Sequence, residues 1–219
     1  MSGRRIGAYG GTFDPIHCGH TEVAREAARR FRLDDLLIIP AHRPPHKDSG
    51  SVSNTYHRYA MAVIATLEDE RATVSTIEIE APDRPYTFET VERLRASSEP
   101  DDRLFFIIGA DSFEELMSWR EPERILAGCN LIVAARPGYE LAASHLPATI
   151  SSRVVDLRGR AEEAAEEAAR NGKIYLTDFV IKDISSTEIR EKARGGESLE
   201  GLVPPPVAAY ISRYGLYRR

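Results

Sequence analysis

The chain has 219 residues with 29 Lys and Arg against 34 Asp and Glu, a formal net charge of −5 that argues against nonspecific nucleic-acid binding, which draws on a basic surplus. Hydrophobic residues make up 42% and charged residues 29%, which excludes a mainly disordered chain and suits one domain, residues 1–219, with its own core. Cys18 and Cys129 stand in no metal or redox spacing, and no apolar run reaches a signal core or the ~20 residues of a membrane span, so a cytoplasmic protein with no membrane partner is expected.

The first predicted strand, residues 6–9, runs into Gly10-Gly11-Thr12-Phe13-Asp14-Pro15-Ile16-His17-Cys18-Gly19-His20. The glycine pair admits positive φ and close approach of a ligand to the main chain. A helix starting near Gly19 turns its free N–H groups and positive dipole end toward that space, an anion site. His17 and His20 can donate to phosphate oxygens and can gain charge beside an anion. A lone histidine is more often structural, but two behind a glycine loop suit a polyphosphate. The stretch is neither a dinucleotide-binding Gly-x-Gly-x-x-Gly nor a P-loop.

Val23, Ala27 and Phe31 share one helical face over residues 21–31. Leu36-Leu37-Ile38-Ile39 reads as a parallel strand covered on both faces and exits into Ala41-His42-Arg43-Pro44-Pro45-His46-Lys47-Asp48. Ligands of open α/β sheets bind beyond the carboxyl ends of strands, so His46 and Lys47 could reach a phosphate; a solvated surface loop is the alternative. A helix over 54–67 and a strand over 73–79 follow. Thr87, after Tyr86, is expected as the N-cap of a helix burying Phe88, Val91 and Leu94.

Residues 104–109, Leu-Phe-Phe-Ile-Ile-Gly, form the clearest buried strand, ending at Gly109-Ala110-Asp111. Asp111 could accept from a ribose hydroxyl or cap a helix over 112–119. Trp119, the single tryptophan, could pack in the core. Residues 131–135 make a fifth strand with Arg136 at its exit, and 153–157 are a weak strand candidate. The Ala/Glu-rich run 161–169 reads as an exposed helix without chemistry. A last strand over 173–177 leads to Asp183-Ile184-Ser185-Ser186-Thr187-Glu188-Ile189-Arg190, a helix start with a serine cap and a capping-box Glu188. Arg190 opposes the dipole there, a conflict that a bound phosphate would relieve. A helix over 206–214 stops at Gly215. Alternating strands and helices predict a doubly wound, mostly parallel α/β sheet of order 3-2-1-4-5, Rossmann-like, with residues 184–219 as a small helical part.

The opening loop, Pro44-Pro45-His46-Lys47, Tyr86-Thr87, Gly109-Ala110-Asp111 with Trp119, Ala135-Arg136-Pro137-Gly138 and Ile184-Ser185-Ser186-Thr187 with Arg190 resemble the bacterial nicotinate-nucleotide adenylyltransferases, of the nucleotidyltransferase superfamily with the His-x-Gly-His motif. Terminal Tyr210-Ile211 and Tyr214-Gly215-Leu216-Tyr217 extend the match. The resemblance implies AMP transfer from ATP to nicotinate mononucleotide, giving deamido-NAD and pyrophosphate, with Mg2+ accompanying ATP. It implies a catalytic set of His17, His20 and Arg190. ATP would lie on Gly10, Gly11, Thr12, Phe13, Gly109, Asp111, Ile184, Ser185, Ser186 and Thr187, and the mononucleotide on His46, Lys47, Tyr86, Thr87, Trp119 and Arg136. No metal-ligating residue is implied, and homo-oligomer formation stays open. Arg84-Pro85 before Tyr86 and the long 140–172 connection depart from the pattern. Phosphopantetheine adenylyltransferase and a non-catalytic nucleotide sensor are the rival readings.

Overall fold

The computed structural model describes residues 3–42, 52–81, 83, 85–136, 138–139, 141–160, 171–180, 182 and 184–218. Arg43, Pro44, Pro45, His46, Lys47, Asp48, Arg84, Pro137, Asp183 and the run 161–169 lie outside them.

Seven strands form one sheet: β1 (Arg5–Gly11), β2 (Asp35–Pro40), β3 (Ala72–Val74), β4 (Arg103–Gly109), β5 (Asn130–Ala134), β6 (Val154–Asp156) and β7 (Ile174–Thr177). Their order is β3-β2-β1-β4-β5-β7-β6, and every pairing is parallel. The expected 3-2-1-4-5 order holds, with β7 and then β6 added beyond β5. "Mostly parallel" becomes wholly parallel among the described strands.

The side-chain alternation of the buried strands explains the two layers. Leu104, Phe106, Ile108, Leu131 and Val133 face one core; Phe105, Ile107, Ile132 and Ala134 face the other. Against the second core lie α1 (Cys18–Arg30), α2 (Thr55–Thr66), α7 (Ser186–Gly195) and α8 (Pro205–Tyr214), through residues such as Val23, Ala27, Met61, Ile189 and Ile211. Against the first lie α3 (Thr87–Ala96), α4 (Ala110–Glu114) and α5 (Pro122–Gly128), through Phe88, Val91, Phe113, Ile125 and Leu126, and Ile150 of the short α6 (Ala148–Ser151). Burying one stripe of each helix on each face is what makes the strands apolar throughout.

Two expected elements end elsewhere. β3 stops at Val74, paired with Ile38, and residues 77–79 turn instead, with Ile77 packing on the core and the Ile79 carbonyl 3.1 Å from Nδ1 of His42. The helix expected over 112–119 begins at Ala110 and breaks after Glu114 into a 3-10 turn, Leu116–Ser118, leaving Trp119 on extended backbone. Helix α8 ends at Gly215 with φ 60°, as expected. No described helix is long and apolar enough to cross a membrane.

Candidate active site

Strand order reverses at β1 and β4, where the chain builds outward in opposite directions, and the crevice at such a switch point opens at the carboxyl ends of the strands. A cavity of about 400 Å³ lies there. It is lined by His17, Gly19 and His20 at the start of α1, by Gly109 and Asp111 at the exit of β4, by Arg136 and Tyr139 beyond β5, and by Lys182 and Ile184 beyond β7. Four strand exits thus converge on one space. A depression of about 550 Å³ lies elsewhere, between α1 and the end of α2, and contains none of the expected residues.

His17 is the N-cap of α1 on extended backbone. Its Nδ1 accepts from the His20 main-chain N–H at 3.3 Å, while His20 Nδ1 accepts from the His17 main-chain N–H at 3.2 Å. A ring nitrogen that accepts carries no proton, so these contacts assign the proton of each neutral imidazole to Nε2. The rings stack with centroids 3.6 Å apart. Both are built as paired neutral donors. Burial pushes His17 down to about 4, and burial followed by the neighbouring His17 holds His20 well below the ordinary histidine range. The positive charge allowed for in the sequence reading is therefore absent near neutral pH without a ligand. Gly19 between them eases the fit, since a Cβ there would crowd the His17 ring at 3.2 Å.

The glycine loop differs from its expectation. Gly10 and Gly11 belong to β1 and lack positive φ; a Cβ on them would strike the rings of Phe106 at 3.0 Å and Phe13 at 2.8 Å. Left-handed backbone occurs instead at Phe13, φ 49°. The Phe13 ring is 2% exposed and set edge-on to Tyr9 and His20, so its side chain belongs to the core. The Thr12 carbonyl accepts from Arg58 at 2.7 Å. At Gly109 an added Cβ would meet nothing within 4 Å, which leaves that strand end open to a ligand.

Asp111 is not the N-cap of its helix. Gly109 holds that position, and the Asp111 carboxylate sits exposed in the cavity lining. Ser185 does cap α7, its hydroxyl accepting from the Thr187 N–H at 3.2 Å. The Ser186 hydroxyl donates to the Pro15 carbonyl at 3.1 Å, which brings the start of α7 against the loop after β1. Arg190 resolves its conflict with the dipole inside the protein, donating to the Asp14 carbonyl at 2.8 Å and to the Thr187 hydroxyl at 3.0 Å. It needs no bound anion to be satisfied.

The residues 8–192 match the model of the cytidylyltransferase-like family. The chain belongs to that family. It is 40% identical over 215 residues to a probable nicotinate-nucleotide adenylyltransferase of Thermus thermophilus, covering 98% of this chain and 100% of the relative. One of the same name from Thermoanaerobacter is 35% identical over 217 residues, covering 98% and 95%. These matches put the chain among the nicotinate-nucleotide adenylyltransferases, as the motifs implied. A nicotinic acid mononucleotide adenylyltransferase of Plasmodium falciparum, complexed with NaAD, shares the fold at TM-score 0.73 and 19% identity, over 98% of this chain and 97% of that one.

Of the residues expected at the acceptor, Tyr86, Thr87 and Trp119 are not among those lining the cavity. Tyr86, not Thr87, is the N-cap of α3, and its main-chain N–H donates to the Glu89 carboxylate at 2.7 Å. Thr87 falls in the first turn. Tyr86 is 48% exposed, its ring stacked near Phe88 and covered by the Arg120 guanidinium at 4.8 Å. Since Arg120 follows Trp119, this contact brings the Trp119 backbone and Tyr86 into one neighbourhood. Trp119 itself is half-buried and packs against the core. His46 and Lys47 lie outside the described residues, and Arg136 groups with Asp111 in the cavity.

Sequence reading missed Lys182, Tyr139 and Tyr9 in the cavity lining. Extending the strand-exit rule to β7 would have found Lys182.

Proposed function

We propose that the protein transfers AMP from ATP to nicotinate mononucleotide, releasing pyrophosphate and deamido-NAD, as an enzyme of NAD biosynthesis. The observation that carries this reading is the reciprocal His17–His20 pair, two neutral Nε2 donors side by side in a cavity where four strand exits meet. Nucleotidyl transfer from ATP to a phosphate needs no general base, because a phosphate monoester with its second pKa near ~6 is mostly dianionic at neutral pH. The work left to the protein is alignment of two anions and stabilisation of charge on the α-phosphate and the leaving pyrophosphate.

His17, His20 and the α7 start with Ser185, Ser186, Thr187 and Arg190 suit those phosphates, through imidazole, guanidinium and main-chain N–H donors. A polyphosphate there would oppose the effect of burial on the histidines. Gly109 offers close approach and Asp111 an acceptor for ribose hydroxyls. Trp119 would offer a stacking face for the nicotinate ring, with Tyr86 and Thr87 beside it; Arg136, from the cavity side, and His46 and Lys47 are retained for the mononucleotide. Gly10, Gly11, Thr12, Phe13 and Ile184 would contribute main chain and shape rather than reactive side chains. Asp111 is the one carboxylate lining the cavity among the described residues, and no three metal-ligating side chains cluster there or elsewhere among them. That donor set would suit Mg2+ arriving on ATP, where it would neutralise phosphate charge. Residues 1–219 then act as one cytoplasmic nucleotidyltransferase unit, with 184–219 as its helical part.

The test is pyrophosphate release from Mg-ATP with nicotinate mononucleotide, nicotinamide mononucleotide and phosphopantetheine in parallel. The highest kcat/KM is expected with nicotinate mononucleotide. Turnover with phosphopantetheine instead would overturn the substrate, and ATP binding without turnover on any acceptor would make the chain a nucleotide sensor.

A further inference from the structure

The loop between β1 and α1 is held from outside itself. The Thr12 carbonyl accepts from Arg58, the Asp14 carbonyl from Arg190 and the Pro15 carbonyl from Ser186. Arg58, 1% exposed, also donates to the carbonyls of Ala41, His42 and Ser53, so it ties the exits of β1 and β2 to the start of α2. The Asp14 carboxylate is 2% exposed and accepts from two directions: the Ser53 main-chain N–H at 3.1 Å and the Tyr217 hydroxyl at 2.8 Å. Tyr217 comes from the segment beyond α8, 203 residues away in sequence.

We propose that Tyr217 is a positioning residue for adenylyl transfer: its hydroxyl, through the buried Asp14 carboxylate, holds the loop that sets His17 and His20. The inference rests on the reaction proposed above. Two features give the contact this role beyond packing. Phe13 and Tyr217 both occupy left-handed backbone, φ 49° and 68°, which a non-glycine residue keeps only where its surroundings over-determine it. The Asp14 side chain is the link between them. Phe13 in turn packs its ring edge-on to His20 with centroids 5.0 Å apart, so a shift at Asp14 passes through one peptide to the ring that His20 rests on. On the other side, the path from Asp14 to the His17 cap is only three residues long. The Tyr217 ring already packs on the core with Leu216; what the hydroxyl adds is its bond to Asp14, within reach also of Ser53.

The experiment compares full-length wild type with Tyr217→Phe, Leu216→Ala, Asp14→Ala and the Tyr217→Phe/Asp14→Ala double variant, measuring kcat, both KM values and Tm. In Tyr217→Phe, kcat should fall ~10- to 100-fold, the range for slight misplacement of catalytic groups by a distant change, with both KM values moved far less. Leu216→Ala should lower Tm and leave kcat within about twofold of wild type, because it removes packing and spares the bond. In the Asp14→Ala background Tyr217→Phe should cost nothing further, since both changes break one interaction. A folded Tyr217→Phe with wild-type kcat overturns the proposal, as does a kcat loss in Leu216→Ala equal to that of Tyr217→Phe. Should Tyr217→Phe not fold, kcat decides on Asp14→Ala alone, and a wild-type value there overturns it. Wild type inactive on ATP and nicotinate mononucleotide would instead sink the reaction assignment, and this inference with it.

Discussion

Where the loop between β1 and α1 is fastened by hydrogen bonds from α2, α7 and the segment beyond α8, the surface around Tyr86 and Trp119 is held by rings and guanidinium groups. At the first, Arg58, Arg190, Ser186 and Tyr217 each reach the loop of residues 12–15 at 2.7–3.1 Å. At the second, Arg120 lies over Tyr86 at 4.8 Å, and Arg124 over Phe88 at 4.4 Å. The difference suits the roles proposed for the two regions. Stabilising charge that develops on phosphate requires donors fixed before the reaction, whereas a flat ring needs a face to stack on and tolerates some freedom.

The largest expected effect breaks this comparison at its rigid end. His20→Ala should lower kcat ~10²- to 10⁴-fold in a folded protein, the range for losing one donor to developing charge. Circular dichroism would verify the fold, and an unchanged kcat would remove the imidazole pair from the chemistry.

At the stacking end the changes should fall on affinity. Trp119→Ala should raise KM for the nicotinate and nicotinamide mononucleotides alike by about three- to tenfold, as loss of an aromatic contact does. Thr87→Val should narrow the preference for the acid, because a carboxylate gains more than an amide from a hydroxyl at a helix start. The ratio of kcat/KM for the two substrates decides it. A ratio preserved in Thr87→Val would assign the selectivity to the main-chain N–H groups of α3.

The smallest effect concerns pH. His17 titrates near 4 when folded and near ~6.5 when unfolded, so the unfolded chain binds the proton first as pH falls. Stability should be full above ~6.5 and decline toward pH 4, by on the order of 3 kcal/mol at most for this residue. Denaturant melts of wild type and His17→Gln across that window test it: the variant should show a shallower slope.

Much of the fold was legible because its signals are local. The apolar runs at 36–39, 104–109 and 131–135 have the length and flanking residues of strands buried on both faces, and the turn and cap residues between them set the helices. The ends of β3 and α4 were not legible: β3 stops at Val74 although β2 runs on to Pro40, and α4 ends at Glu114, ahead of the 3-10 turn that leads to Trp119. The place of β6 outside β7 was hidden as well, since an edge is chosen by pairing and not by composition.

For the site, the sequence alone determined the loop with His17 and His20, the strand exits at Gly109, Asp111 and Arg136, and the serine cap of α7, because each is a short pattern of residues whose chemistry and spacing act within one turn or one strand end. Only the tertiary structure decided that glycines 10 and 11 serve packing while Phe13 takes the left-handed turn, that Arg190 is satisfied by Asp14 and Thr187, and that Tyr217 meets Asp14. Those partners are up to 203 residues apart, and a hydrogen bond across that distance has no local signature: it exists because α1 and α8, packed in the same helix layer on one face of the sheet, bring its donor and acceptor together.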